Sequence, residues 1–89
     1  MTMDASEQIR LVRSSVERWN EWRKECPDVR PHLAGVELVE MDLSGVDFSD
    51  TDLARASLER STLDGSDLSG ADLRRASLQR SRARKARFV

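Results

Sequence analysis

The chain has 89 residues, which is the length of one domain. Charged residues make up 35% and aromatic residues 4%, which excludes a conventional core but allows a narrow one filled by leucine. The net charge is −1, no apolar run is long enough to span a membrane, and the single cysteine, Cys26, excludes an internal disulfide.

The N-terminal segment predicts one amphipathic helix from about Asp4 to Cys26. Asp4 and Glu7 have the spacing of a capping box, and Pro27 ends the helix because it restricts the residue before it. Apolar side chains recur every three or four residues, which places them on one helical face. These residues are Ile9, Val12, Val16, Trp19, Trp22 and Cys26.

The remainder of the chain, residues 31–89, repeats every five residues. In each unit a large apolar residue stands at the centre, and a small or modest residue precedes it by two positions. The centres are Leu33, Leu38, Leu43, Phe48, Leu53, Leu58, Leu63, Leu68, Leu73, Leu78, Ala83 and Phe88. A period of five suits neither a helix nor a strand, because each would spread the leucines over different faces. The period predicts a solenoid whose units bury their apolar residues by stacking.

Three segments, residues 46–50, 66–70 and 71–75, resemble the signature of the pentapeptide-repeat family: small, Asp or Asn, Leu or Phe, Ser, Thr or Arg, polar. The resemblance implies a mainly β fold, a right-handed quadrilateral β-helix with four repeats in each coil. Twelve repeats would then give about three coils. Residues 1–30 would form a helical cap and linker, and residues 31–89 the β-helix, within a single structural domain.

The helix has a structural role in this scheme. An uncapped solenoid exposes its core and a row of unpaired backbone groups, so we expect the face of Ile9, Val12, Val16, Trp19 and Trp22 to cover the first coil. The alternative is that the two tryptophans stack on a base or another ligand.

Residues that could support catalysis or bind a metal are few. His32 has no cysteine, histidine or suitably spaced acid nearby, and Cys26 has no basic partner. Paired carboxylates can act as general acid and base, but they need a cleft that the flat sides of a solenoid do not offer. We therefore expect no enzymatic activity, no metal and no cofactor.

Charge is distributed unevenly along the repeats. Residues 31–73 hold ten acids and two bases, whereas residues 74–89 hold seven bases and no acid. The candidate partner-facing acidic side consists of Asp47, Asp52, Asp67 and Asp72. Ion pairs with Arg55, Arg60, Arg75 and Arg80 are the structural explanation for these stacked acids. The candidate basic surface consists of Arg74, Arg75, Arg80, Arg82, Arg84, Lys85 and Arg87.

We expect the last coil to stay uncovered, because the sequence shows no helix, proline or loop beyond the final repeat that ends in Phe88 and Val89. Its end, formed by Leu73, Leu78, Ala83 and Phe88, is the predicted interface of a homodimer, as in related pentapeptide-repeat proteins.

These observations favour a protein–protein interaction or scaffold module, in a cytoplasmic protein of bacterial type with an unidentified protein partner. Resemblance to quinolone-resistance proteins suggests an alternative, a DNA mimic that binds DNA gyrase or another topoisomerase through the acidic side. A second alternative is nucleic-acid binding through the basic surface. A third is that the chain is part of a longer repeat protein.

Overall fold

The computed structural model describes residues 3–89, which begin with two short helices rather than one. Helix α1 spans Ala5–Ser14 and helix α2 spans Val16–Glu25. The prediction of a continuous helix from Asp4 to Cys26 is wrong at Ser15, where the backbone is extended, with φ −164° and ψ 119°. The apolar spacing passes through this break unchanged, because Val12 and Val16 are four residues apart.

Side chains at the helix starts explain where α1 and α2 begin. Asp4 and Glu7 form the predicted capping box, since the Asp4 carboxylate accepts the Glu7 N–H at 2.9 Å and Glu7 accepts the Asp4 N–H at 3.2 Å. The Ser15 hydroxyl oxygen accepts the N–H of Arg18 at 3.1 Å and so caps α2. Helix α2 then ends at Glu25, two residues before Pro27.

The repeat region is joined by parallel bridges between residues 20 positions apart. His32 bridges to Asp52 and Asp52 to Asp72, and the other three units of each coil follow the same register. Four five-residue units therefore complete one coil. We call residues 31–50 the first coil, residues 51–70 the second and residues 71–89 the third.

Each unit is extended at its first three positions and turns at the last two. The turn is closed where the first-position N–H of one unit donates to the third-position carbonyl of the unit before, as from Val36 to Leu33 at 3.1 Å. The fifth position always has a positive φ in the units up to residue 85, and only four of those eleven residues are glycine. A turn every five residues leaves one bridge residue per unit. The β-bridges in residues 3–89 are therefore isolated, and no strand of several residues forms there.

The core lies on the stack axis and is filled by the third-position residues. All eight centres of the first two coils, from Leu33 to Leu68, are at most 1% exposed. The first-position residues Val36, Val46, Thr51 and Ala56 are also buried. In the third coil the centres Leu73, Leu78 and Ala83 are only partly buried, and Phe88 is 48% exposed. The two ends of the stack therefore differ.

Candidate functional site

The end of the stack beside the helices is closed by aromatic packing. Trp19 is fully buried and lies edge-on to Phe48, with ring centroids 5.8 Å apart. Trp22 packs beside it at 5.1 Å. The Trp19 indole N–H donates to the carbonyl of Asp47 at 2.8 Å, so one side chain fills the core and also satisfies the backbone edge.

The predicted cap residues lie where the helices meet the first coil or each other. Val12, Trp19 and Trp22 are buried members of the apolar core, and Ile9 and Val16 are partly buried against it. The structure thus brings all five to the core. Their role as a functional cap stays a prediction.

Polar helix side chains that the sequence analysis did not single out satisfy the edge of the first coil. Arg13 donates to the carbonyl of Glu37 at 2.8 Å, and Gln8 accepts the N–H of His32 at 2.7 Å. Asn20 accepts the N–H of Asp47 at 2.8 Å and donates to the carbonyl of Gly45 at 3.0 Å. These side chains take the place that a preceding coil would occupy.

Arg23 is the most buried cation at this end, with its side chain only 6% exposed. Its guanidinium donates to the carbonyl of Asp47 and to the hydroxyl of Thr51, both at 3.1 Å. It also lies 3.7 Å from the carboxylate of Asp47. A single basic residue in an amphipathic helix gives no sequence signal that it will be buried.

The predicted acidic side consists of carboxylates that stabilise their own turns. Each of these aspartates accepts the backbone N–H two residues later, at 2.9–3.1 Å. The four are Asp47, Asp52, Asp67 and Asp72. Their second-position side chains stack in two columns, Asp47 on Asp67 and Asp52 on Asp72. The acids therefore have a structural function whether or not a partner contacts them.

The ion pairs differ from those predicted. Of the four arginines expected to pair with the stacked acids, Arg60 pairs with Glu40 at 3.9 Å, and no ion pair within residues 3–89 involves Arg55, Arg75 or Arg80. The second-position acids instead accept the backbone N–H of the fourth position in their own unit.

The third coil holds the basic surface, and two of its seven members are neutralised. Arg74 pairs with Asp72 at 2.8 Å, and Arg82 pairs with Asp64 at 2.6 Å. Hydrogen bonds from the Arg74 side chain and backbone lower the pKa of Asp72 to about 2, from 3.8. The remaining five make no ion pair among the described residues. They are Arg75, Arg80, Arg84, Lys85 and Arg87.

The predicted dimer interface residues do meet at one end of the stack. Leu73, Leu78, Ala83 and Phe88 are the last members of the four core columns, and each lies over a fully or almost fully buried residue of the second coil. We call this surface, with its backbone edge, the open end. Here the last members of the four core columns are in part exposed to solvent.

Residues 3–89 also bear on a membrane span and a metal site. No helix there is long and apolar enough to cross a membrane, and no group of three histidine, cysteine, aspartate or glutamate side chains there could hold a metal ion.

Comparison with known proteins agrees with the repeat. A family model described as pentapeptide repeats matches eight copies, at residues 32–60, 42–80 and 51–88. No curated protein and no solved structure gave a significant match. Because the matched residues cover well over half of the chain and coincide with its bridged units, the protein belongs to the pentapeptide-repeat family.

Proposed function

We propose that the chain is a non-enzymatic protein–protein interaction module that acts through its open end. Pentapeptide-repeat proteins are generally structural or interaction modules, which supports the broad class. The proposed architecture is a right-handed quadrilateral β-helix of about three coils. Residues 1–30 would be its cap and linker and residues 31–89 the β-helix.

The observation that carries this proposal is the contrast in burial along each core column. In the first column Leu33 and Leu53 are 0% exposed, whereas Leu73 is only partly buried. In the fourth column Phe48 is 0% exposed and Phe88 is 48% exposed. Apolar side chains arranged in a ring at an open edge are typical of a surface that another protein covers.

The homodimer predicted from sequence is one form of this function, with a second copy as the partner. That homodimer would bury Phe88, and for a dimeric chain Phe88→Arg would lower the association state and the melting temperature together. A cytoplasmic location and a bacterial source also stay predictions.

The competing function is nucleic-acid binding through the basic surface. Sedimentation at low and high salt, with and without a mixed-sequence DNA duplex, tests the two. The proposal predicts that the duplex leaves the solution mass unchanged at both salt concentrations. A chain that binds the duplex at low salt and releases it at high salt would contradict the proposal.

The gyrase-binding alternative needs the acids along the sides of the stack to act in place of phosphates. These are Glu37, Glu40, Asp42, Asp47, Asp52, Asp64, Asp67 and Asp72. The four of the acidic side, Asp47, Asp52, Asp67 and Asp72, each already accept a backbone hydrogen bond within their own unit. That alternative stays a prediction, and the open end supports the interaction module better.

A further inference from the structure

The backbone hydrogen bonds between coils have a direction. Within the first coil, the third- and fifth-position N–H groups of Leu33 and Gly35 donate to carbonyls of the second coil, each at 2.8 Å. In return, the first-position carbonyl of Pro31 accepts the N–H of Asp52 at 2.9 Å. Each complete unit therefore presents two N–H donors and one carbonyl acceptor toward the C-terminal end of the stack.

At the open end, residues 3–89 supply no further coil to pair with these groups. The third-position N–H groups of Leu73, Leu78, Ala83 and Phe88 make no hydrogen bond among the described residues. The same holds, across residues 3–89, for the fifth-position N–H groups of Arg75, Arg80 and Lys85. Four first-position carbonyls, at Ala71, Ala76, Ser81 and Ala86, complete the edge. With seven donors against four acceptors, the edge carries a partial positive charge.

The opposite end shows how a helix closes such an edge. By the same register, the first coil presents two carbonyls for each N–H toward α1 and α2. Arg13, Trp19, Asn20 and Arg23 donate to its carbonyls, while Gln8 and Asn20 accept its N–H groups. Donor side chains thus predominate where carbonyls predominate. A helix that closes the open end would need mainly acceptor side chains.

The side chains around the open end have the same sign as its backbone edge. Five cations there have no ion pair within residues 3–89, as described above. At the rim, a cleft of about 290 Å³ is lined by Ala54, Arg55, Arg74 and Arg75. Basic side chains beside a backbone edge rich in N–H donors repel that edge, which destabilises the isolated chain. The same arrangement favours the binding of an anionic partner.

We propose that the open end binds an amphipathic helix of a partner protein whose apolar face is flanked by acidic side chains. The apolar face would cover Leu73, Leu78 and Phe88, and the carboxylates would accept from the backbone N–H groups and the unpaired arginines. This inference rests on the proposed function and names the chemistry of the partner.

Two other occupants fit the open end less well. A second copy in a two-fold arrangement would place a donor-rich edge and five cations that make no ion pair within residues 3–89 against the same set. A nucleic acid would supply phosphates, but it would leave the half-buried ring of Leu73, Leu78 and Ala83 without apolar cover.

A displayed library of amphipathic helices tests the proposal with the full chain as bait. All members would share a leucine stripe, and the flanking positions would be glutamate, glutamine or lysine in equal proportion. We expect selection for glutamate, with the selected helices binding at least tenfold more tightly than their glutamine versions and more weakly at high salt.

Two pairs of substitutions locate the binding. The double variant Arg75→Gln, Arg80→Gln should weaken the selected helices about tenfold or more, which corresponds to at least ~1.4 kcal/mol. The matched variant Arg10→Gln, Lys24→Gln makes the same charge change on exposed helix positions at the other end and should leave binding unchanged. Equal effects of the two double variants would overturn the proposal.

The remaining outcomes separate this inference from the proposed function. If glutamine- and lysine-flanked helices bind as well as glutamate-flanked ones, or if the chain forms a salt-independent dimer that excludes them, the acidic preference is wrong while an interaction at the open end stands. If no helix binds and the chain stays monomeric, both the inference and the proposed function fail.

Discussion

The two ends of the stack are built from the same five-residue unit, but the core and backbone edge are covered at one end and exposed at the other. At the first coil, Trp19, Arg23 and Asn20 cover the core and satisfy the backbone edge. At the third coil, Phe88 is half-exposed and the N–H groups of the last units have no acceptor within residues 3–89. Within the stack, each repeat is covered by the repeats on either side of it. The ends have a neighbour on one side only, so they need residues outside the repeat pattern to cover them.

The largest expected effect is at the closed end. Trp19→Ala should lower the free energy of unfolding by about 3–5 kcal/mol, because it removes a fully buried ring from Phe48 and an indole N–H from the Asp47 carbonyl. Urea unfolding followed by circular dichroism measures this. A loss under about 1 kcal/mol would mean that the helices do not close the core.

A matched pair in one core column compares the interior with the open end. Leu53→Ala should cost about 2–5 kcal/mol because Leu53 is fully buried. Leu73→Ala, in the same column but only partly buried, should cost clearly less in the monomer. Urea unfolding at two protein concentrations measures both. Equal and concentration-dependent costs would show that a second copy covers the open end in solution.

The buried arginine is the next test of the closed end. Arg23→Met should cost about 1.5–3 kcal/mol, since it leaves the Asp47 carbonyl and the Thr51 hydroxyl without their charged donor. Lys24→Met, at the exposed neighbouring position, is the control and should change the unfolding free energy little. If the two substitutions cost the same in thermal and urea unfolding, Arg23 is not part of the closure.

The smallest effect concerns pH. The Arg74 side chain and backbone lower the pKa of Asp72 to about 2, from 3.8. A lowered pKa in the folded state means that the stabilisation is present above the ordinary value and is lost as pH falls from 3.8 through about 2. Asp72→Asn keeps an acceptor for the turn but removes this pH dependence in part.

Unfolding midpoints measured near neutral pH and in acid should therefore differ less in Asp72→Asn than in the unaltered chain. Glu17→Gln, on the exposed side of α2, is the charge-matched control. An unchanged acid sensitivity in Asp72→Asn would show that the pair with Arg74 is not formed in solution.

Much of the fold followed from the sequence because a strict period fixes which residues share a column. Leu33, Leu53 and Leu73 belong to neighbouring coils, as the pairing of His32, Asp52 and Asp72 shows. The break at Ser15 did not follow, because the apolar spacing continues across it and a serine hydroxyl caps a helix only when the backbone there is extended.

The candidate site was predictable in its apolar part alone. The small residue Ala83 at a core position predicts an open end. The acceptors and donors of the closed end were not predictable, because Gln8, Asn20 and Arg23 look like ordinary polar residues of an amphipathic helix. Their role depends on backbone groups that become exposed only after the coils have stacked.

Amide hydrogen exchange by NMR, at a concentration where sedimentation shows a monomer, compares the open end with the interior of the stack most directly. The account predicts slow exchange at Leu53 and Leu58, whose N–H groups donate to the third coil at 2.9 and 2.8 Å. It predicts exchange close to the rate of an unstructured chain at Leu73 and Leu78. Equal protection of all four amides in the monomer would contradict an open, donor-rich end.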